Sequence, residues 1–214
     1  MLSRFWILLA IPLTLAALAA EAHPVSYKNA FGVMSYNSQD SNELLVNYSL
    51  NSRFAVAATY LREEKSEFYI PRLNLLVQRW NNEDSQGNFY LSAGAGAEKF
   101  DSKNYDTGLL EVILDWESRK YYTYFEHQYF ARKNENNPTL AEKDLQKSKL
   151  RLGFAPFLAD YSDLNVWYIA EFNQSNTNPQ IAATQFLRFY MKNVLWEVGA
   201  GFDGSIAFNF MIHL

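Results

Sequence analysis

The chain has 214 residues, a formal net charge of -4, no cysteine and a mean hydropathy of -0.25. The lack of cysteine excludes a disulfide framework and a thiolate metal site, and an acidic balance without a basic stripe argues against nucleic acid as a partner. The low hydropathy excludes a bundle of membrane-spanning helices, but it is compatible with strands that have one apolar and one polar face.

The N-terminal residues have the pattern of a secretory signal peptide. Arg4 precedes an apolar run, and residues 20–22 (Ala-Glu-Ala) have the small-x-small spacing that a signal peptidase accepts. The run is shorter than the roughly 18 apolar residues that a transmembrane helix needs. We therefore expect residues 1–22 to be removed and the mature chain, 23–214, to begin at His23.

The remaining chain divides into about twelve short segments of alternating or apolar character, separated by turn residues. Their even spacing predicts consecutive antiparallel strands, and an even number is what a single-chain bacterial barrel requires. The segments span approximately 25–37, 43–51, 54–64, 68–82, 88–100, 107–118, 120–133, 145–159, 163–174, 181–192, 194–203 and 205–214.

The connections between these segments are predicted to alternate in length. Those at 51–53, 117–120 and 192–193 are brief, whereas the third, fifth, seventh and ninth connections are longer and polar, with 134–144 the longest. Short turns on one side and longer loops on the other are typical of barrels in the bacterial outer membrane.

The last three segments can be paired residue by residue. A two-residue turn at 192–193 sets the first hairpin, and a three-residue loop at 203–205 sets the second. The predicted pairs are Phe189 with Trp196, Leu187 with Val198 and Arg188 with Glu197, then Phe202 with Ile206, Ala200 with Phe208, Val198 with Phe210 and Trp196 with Ile212. This choice puts the bulky apolar residues of all three strands on the outside.

The final segment alternates bulky apolar residues with polar or small ones and ends Phe208, Phe210, Ile212, Leu214. With the signal peptide and the even strand number, it resembles the bacterial outer-membrane β-barrels, which are inserted through recognition of an aromatic-rich last strand; their usual final residue is Phe, and here it is Leu214. The resemblance implies an all-β, up-and-down antiparallel transmembrane β-barrel of about twelve strands in a Gram-negative outer membrane. Its implied partners are outer-membrane lipid and, through the C-terminal strand, the barrel-assembly machinery. The alternative is a soluble sandwich or lipocalin-like barrel.

Positions that alternation assigns to the interior carry charges of both signs. The predicted lumen-lining residues are Arg72, Glu111, Asp115, Arg151, Glu171, Arg188, Tyr190 and Glu197. Among them, Arg188 with Glu197 and Arg151 with Glu171 are expected ion pairs. Because neither a basic track nor an acidic ring is visible, the predicted function is a narrow, porin-like channel for an unidentified small solute. A non-conducting scaffold with a filled lumen is an alternative.

Two histidines suggest further chemistry. His127 faces outward by alternation, which raises the alternative of a lipid-acting outer-membrane enzyme, although no serine stands beside it at a telling spacing in the sequence. If cleavage exposes His23, its α-amine and imidazole could chelate a copper-like ion, because Pro24 supplies no competing amide nitrogen. No feature of the sequence predicts a bound cofactor.

Overall fold

The computed structural model describes residues 23–132, 144–160 and 162–214. The strands are β1 (Phe31–Asn37), β2 (Ser41–Ser49), β3 (Phe54–Glu63), β4 (Ser66–Asn81), β5 (Ser85–Phe100), β6 (Lys103–Ser118), β7 (Tyr121–Arg132), β8 (Leu145–Phe154), β9 (Asn165–Ser175), β10 (Ala182–Met191), β11 (Val194–Gly201) and β12 (Ile206–His213). Each pairs antiparallel with its neighbours in sequence, and β1 pairs with β12, so the sheet closes on itself. The predicted all-β, up-and-down barrel is confirmed. The predicted signal peptide, 1–22, and nearly all of the predicted longest loop lie outside the described residues.

None of the described residues forms a helix that is long and apolar enough to cross a membrane.

The distribution of polar and apolar side chains between the two faces of the barrel wall is the reverse of that in a soluble barrel. Outward side chains are large and apolar, and Leu73 and Leu110 are 59% and 60% exposed. Inward side chains include many polar and charged ones, and among these Asn74 and Glu197 are fully buried. This arrangement is the one expected of a barrel surrounded by lipid, because water-facing strands would place their apolar side inside.

The hairpins define two ends of the barrel. We call the end of the barrel at which β1 begins and β12 ends the terminal end, and the opposite end the distal end. The terminal end also carries the connections at 50–53, 82–84, 119–120, 155–164 and 192–193, and the distal end carries the others. The third and fifth connections, predicted to be longer loops, are instead the two-residue turns 64–65 and 101–102, so this prediction was wrong. Asp101 and Ser102 both have positive φ, which matches the mirror-image turn that suits a tight hairpin without an Asn-Gly signature. Conversely, the connection 155–164 at the terminal end is long.

The two C-terminal hairpins test the predicted registers. The β10–β11 hairpin has the predicted pairs. In the β11–β12 hairpin, Val198 faces Phe208 instead of Phe210, which is a shift of two residues. The loop has the predicted three residues but lies one position earlier, because the Gly201 amide donates to the Ser205 carbonyl and encloses residues 202–204 instead of 203–205. An even shift leaves every side chain on its predicted face.

Residues 23–30 do not extend β1, although the first predicted strand included 25–30. The Ala30 amide donates to the Tyr27 carbonyl, and Asn29 has a φ of 68°, so the chain turns before the strand begins at Phe31. Pro24 lacks the amide hydrogen that a strand ladder needs. Residues 23–26, which we call the N-terminal strap, instead enter the lumen from the terminal end.

One side of the distal half of the lumen is closed by apolar packing. This filled sector consists of Leu61, Phe68, Ile70, Leu109, Phe130 and Leu145. Its residues come from β3, β4, β6, β7 and β8, and the rings of Phe68 and Phe130 lie 4.9 Å apart between centroids. The open space of the distal half therefore lies beside this sector, and residues of β1, β2, β8, β9, β10 and β12 form most of its lining.

Candidate functional site

Two cavities occupy the lumen, one in each half of the barrel. The inner cavity, at the terminal end, has a volume of about 300 Å³, and the outer cavity, at the distal end, has a volume of about 500 Å³. Tyr36, Glu43, Glu126 and Lys149 line both cavities. The two cavities therefore meet at these four side chains, which we call the waist.

The waist is narrowed by contacts that cross the lumen. Lys149 Nζ lies 3.5 Å from Glu126 Oε1 and 4.7 Å from the centroid of the Tyr36 ring. From β7, the Gln128 side-chain amide donates to Glu43 Oε1 on β2 over 3.2 Å. The waist therefore combines two carboxylates with one ammonium group in a short constriction.

On one side of the lumen, a buried ion-pair network joins β8 to β12. Glu197 is at its centre: it accepts hydrogen bonds from Arg151 Nη2 at 2.6 Å, Arg188 Nε at 2.7 Å and Asn209 Nδ2 at 2.6 Å. Arg151 also lies 3.0 Å from Glu171. Two arginines thus face two glutamates, so this ion-pair wall is close to neutral and is held rigid by its hydrogen bonds.

A second, smaller network lies on the opposite side. Arg72 contacts both carboxylate oxygens of Glu111, at 3.2 and 2.7 Å, and its Nε donates to Asn74 over 2.9 Å. Farther toward the terminal end, the Asn88 amide donates to Asp115 over 2.7 Å. The bidentate Arg72 pair fixes the orientation of the guanidinium group, which a single point contact would not.

The structure places all eight predicted lumen residues on the inner side of the wall. The inner cavity is lined by Arg72, Glu111, Asp115, Arg151, Arg188 and Tyr190, whereas Glu171 lines the outer cavity. Glu197 is fully buried at the centre of the ion-pair wall and lines neither cavity. Sequence reasoning missed the waist as a unit, since its members come from β1, β2, β7 and β8.

A basic ladder on β8 also escaped the sequence analysis. Lys147, Lys149 and Arg151 occupy alternate positions of one strand and all point inward, a spacing that is visible in the sequence. Each is matched by an acidic partner, as for Lys147 Nζ and Glu63 Oε2 at 2.7 Å. The ladder therefore adds no unbalanced positive charge to the passage.

The outer cavity is acidic. Among the described residues, its lining has seven carboxylates and two lysines: Asp40, Glu43, Glu63, Glu64, Glu126, Glu171 and Asp203 against Lys147 and Lys149. At the distal rim, the Ser205 hydroxyl and amide donate to Asp203 and hold the pKa of that carboxyl below its usual range. Asp203 thus stays ionised at neutral pH and contributes to the negative field.

On the outer face of the barrel, His127 has a serine partner that its own strand does not supply. Ser148 on β8 stands directly opposite His127 on β7, and the histidine Nδ1 lies 2.9 Å from the serine Oγ.

His23 lies inside the lumen. Its Nδ1 is 3.4 Å from Asp115 Oδ2, and its ring stacks on Tyr90 with the centroids 5.8 Å apart. Within the described ranges, no group of three or more histidine, aspartate or glutamate side chains is arranged to hold a metal ion. A metal role for His23 therefore stays a prediction that depends on a free α-amine.

No protein-family model and no curated protein matches the chain. Solved structures do match it. The chain is similar to the KdgM porin at 10% identity with a TM-score of 0.47, over 86% of this chain and 97% of the other. It is also similar to OmpTdeltaL8, a loop-deletion mutant of OmpT, an outer membrane protein of Vibrio cholerae, at 9% identity with a TM-score of 0.32, over 86% and 98% of the two chains. At these scores the matches carry no argument about function.

Proposed function

We propose that this protein is a narrow, porin-like channel of the outer membrane that passes small solutes and favours cations over anions. The supporting observation is the pair of cavities, one in each half of the lumen, that share the four waist side chains. A barrel of about twelve strands is intermediate between those filled by side chains and those with a wide aqueous pore. A narrow passage is consistent with that size.

The location is supported by the outer surface of the barrel. Exposed apolar side chains occur on strand after strand, among them Leu73, Leu110 and Phe208, so outer-membrane lipid is the partner that we assign to this surface. We infer export from a Gram-negative cytoplasm through cleavage after residue 22, and insertion by the barrel-assembly machinery through β12. A change such as Leu110→Arg should then destabilise the inserted barrel by about 2–4 kcal/mol if the site lies near the bilayer midplane, as measured by urea unfolding from liposomes.

The cation preference follows from the distribution of charge. The ion-pair wall is close to neutral and cannot select by sign, whereas the outer cavity keeps an excess of carboxylates over lysines even when Glu171, which the wall pairs with Arg151, is left out. Ions entering from the distal end meet this negative field first, and a low-dielectric wall strengthens it. Acidic solutes are therefore disfavoured.

Planar bilayers test the channel and its selectivity together. Purified protein should give discrete conductance steps, and in a potassium chloride gradient the reversal potential should show cation preference. The double variant Asp40→Asn and Glu64→Gln removes two carboxylates from the outer cavity and should reduce that preference. Glu67→Gln, which removes an outward carboxylate paired with Lys99, is the matched control and should not.

A flat current at all voltages would contradict the channel. Discrete steps with anion preference would contradict the charge argument while leaving the channel in place.

A lipid-acting enzyme is a second candidate, favoured by one observation. The His127–Ser148 pair provides a base and a hydroxyl within hydrogen-bonding distance on the lipid-facing surface. In this role Ser148 would attack an ester carbonyl while His127 accepts its proton and passes it to the leaving alcohol, and water would then cleave the acyl–serine ester to release the fatty acid. Fatty-acid release from lipid micelles with added calcium, abolished by Ser148→Ala, is the expected result; no release from the unmodified protein would reject the candidate.

A further inference from the structure

We propose that the N-terminal strap, residues 23–26, is a built-in constriction that is seated in the lumen and sets the width of the inner half of the passage. The seating is argued from contacts alone, and the effect on width rests on the proposed channel function.

Buried amides hold the backbone of the strap. The Asn47 side-chain amide on β2 donates to the carbonyl oxygens of His23 and Pro24, at 3.3 Å each. The Asn74 side-chain amide on β4 also donates to the Pro24 carbonyl, at 3.1 Å. Asn47 and Asn74 are 3% and 0% exposed. A buried amide without a partner costs about 1–3 kcal/mol, so these two residues specify the position of the strap.

An apolar contact fixes the next residue. Val25 is completely buried and belongs to a cluster with Ala55, Leu76, Tyr90 and Ile113. These neighbours come from β3, β4, β5 and β6, which form one side of the lumen. Val25 of the strap is thus part of the apolar packing on this side of the lumen.

Hydrogen bonds also fix the point at which the strap enters the lumen. The Ser26 amide donates to Ser49 Oγ over 2.9 Å, and Ser26 Oγ lies 2.9 Å from His213 Nδ1. Ser49 is at the end of β2 and His213 at the end of β12, on either side of β1. The strap is therefore tied to both strands that flank its own strand.

The strap reduces the space that remains for a solute. His23 and Pro24 line the inner cavity directly, opposite the ion-pair wall. The strap and the Val25 cluster occupy the β2–β6 side, so a solute in the inner half must pass between them and the other side. Without residues 23–26, this half would be wider.

Thiol reactivity tests the seating independently of conduction. Because the chain has no cysteine, Val25→Cys introduces a single thiol. In the full-length protein in detergent or liposomes, it should react with a maleimide roughly 100-fold more slowly than Tyr27→Cys, because a seated strap must open locally before it reacts. Tyr27 is 40% exposed and is the matched control. Equal rates would overturn the proposal.

Single-channel conductance tests the effect on width. Deletion of residues 23–26, or Asn47→Ala if the deletion does not fold, should raise the unitary conductance about twofold, because the narrowest part of a pore dominates its resistance. Asn42→Ala, on the same strand but near the distal end, should leave it unchanged. An unchanged conductance in the strap variants would overturn the constriction.

Different results would reject the proposed channel and the proposed seating of the strap. If neither the unmodified protein nor the deletion variant conducts, the proposed channel and with it the constriction are rejected, whereas the thiol rates still decide whether the strap is seated. If only the deletion variant conducts, the strap closes the passage, which supports the constriction in its strongest form.

Discussion

The two sides of the lumen have the same alternation of inward and outward residues, but one side is packed with apolar side chains and the other carries ion pairs beside a cavity. On the side that contains the filled sector and the strap, Phe68 packs against Phe130 in the distal half, and Val25 packs in a second apolar cluster in the inner half. On the side of the ion-pair wall, inward residues such as Arg188 and Glu197 pair along the wall and leave a passage in front of them. The number of strands sets the perimeter of the barrel, but the chemistry of the inward residues decides which part of the lumen is open.

The comparison predicts that the two sides respond differently to substitution. A change in the ion-pair wall should alter both stability and conduction, whereas a change in the filled sector should alter stability alone.

The largest effect is expected for Glu197→Ala. This change removes the carboxylate shared by Arg151 and Arg188 and leaves buried positive charge without its partner, which costs about 3–5 kcal/mol. The ion preference should also shift toward anions. Urea unfolding from liposomes and reversal potentials measure the two effects.

Glu67→Ala is the control, because the Glu67–Lys99 pair at 3.6 Å is partly exposed and should contribute only about 0–1 kcal/mol. Equal losses of stability for Glu197→Ala and Glu67→Ala would show that the wall does not depend on its central carboxylate.

Phe68→Ala should have a somewhat smaller effect on stability and none on conduction. The substitution leaves a void beside Phe130 and should cost about 3 kcal/mol. Phe68 lines neither cavity, so the unitary conductance should not change. A clear rise in conductance would mean that the filled sector borders the passage, and the contrast between the two sides would be lost.

Gly199→Val should have the smallest effect on stability of the three. A Cβ at this position would lie 2.5 Å from Cε1 of Phe186, so the ring must move, at a cost of about 1–3 kcal/mol. Because Phe186 lines the outer cavity, conductance should fall. Gly108→Val is the control, since a Cβ there meets nothing closer than 3.8 Å. If both variants conduct as the unmodified protein does, Phe186 does not limit the passage.

The sequence was sufficient for the features that depend on neighbours along one hairpin. In β10–β11, both strands alternate and a two-residue turn joins them, so every pair could be assigned. In β11–β12 the faces were correct, but the register was not, because Gly201 and Ser205 close the three-residue turn one position earlier than predicted.

The features that depend on contacts across the lumen could not be predicted in this way. The bond from Gln128 to Glu43 joins β7 to β2, and alternation gives no information about which inward residues meet from distant strands. The predicted first strand includes Val25 and Ser26 of the strap, because these two residues have no strong signal of their own. Pro24 was the one warning, since it cannot donate to a strand ladder.

The bond between Ser26 and His213 has a consequence for the order of assembly. Ser26 precedes β1, whereas His213 ends β12, so the two come together only when the first and last strands meet. Pairings of such large sequence separation form late, because the closure entropy of the long intervening chain must be overcome first. The bond that fixes where the N-terminal residues enter the lumen thus forms only once the circle of strands is joined, and a reporter at position 26 would time the moment at which the cylinder closes.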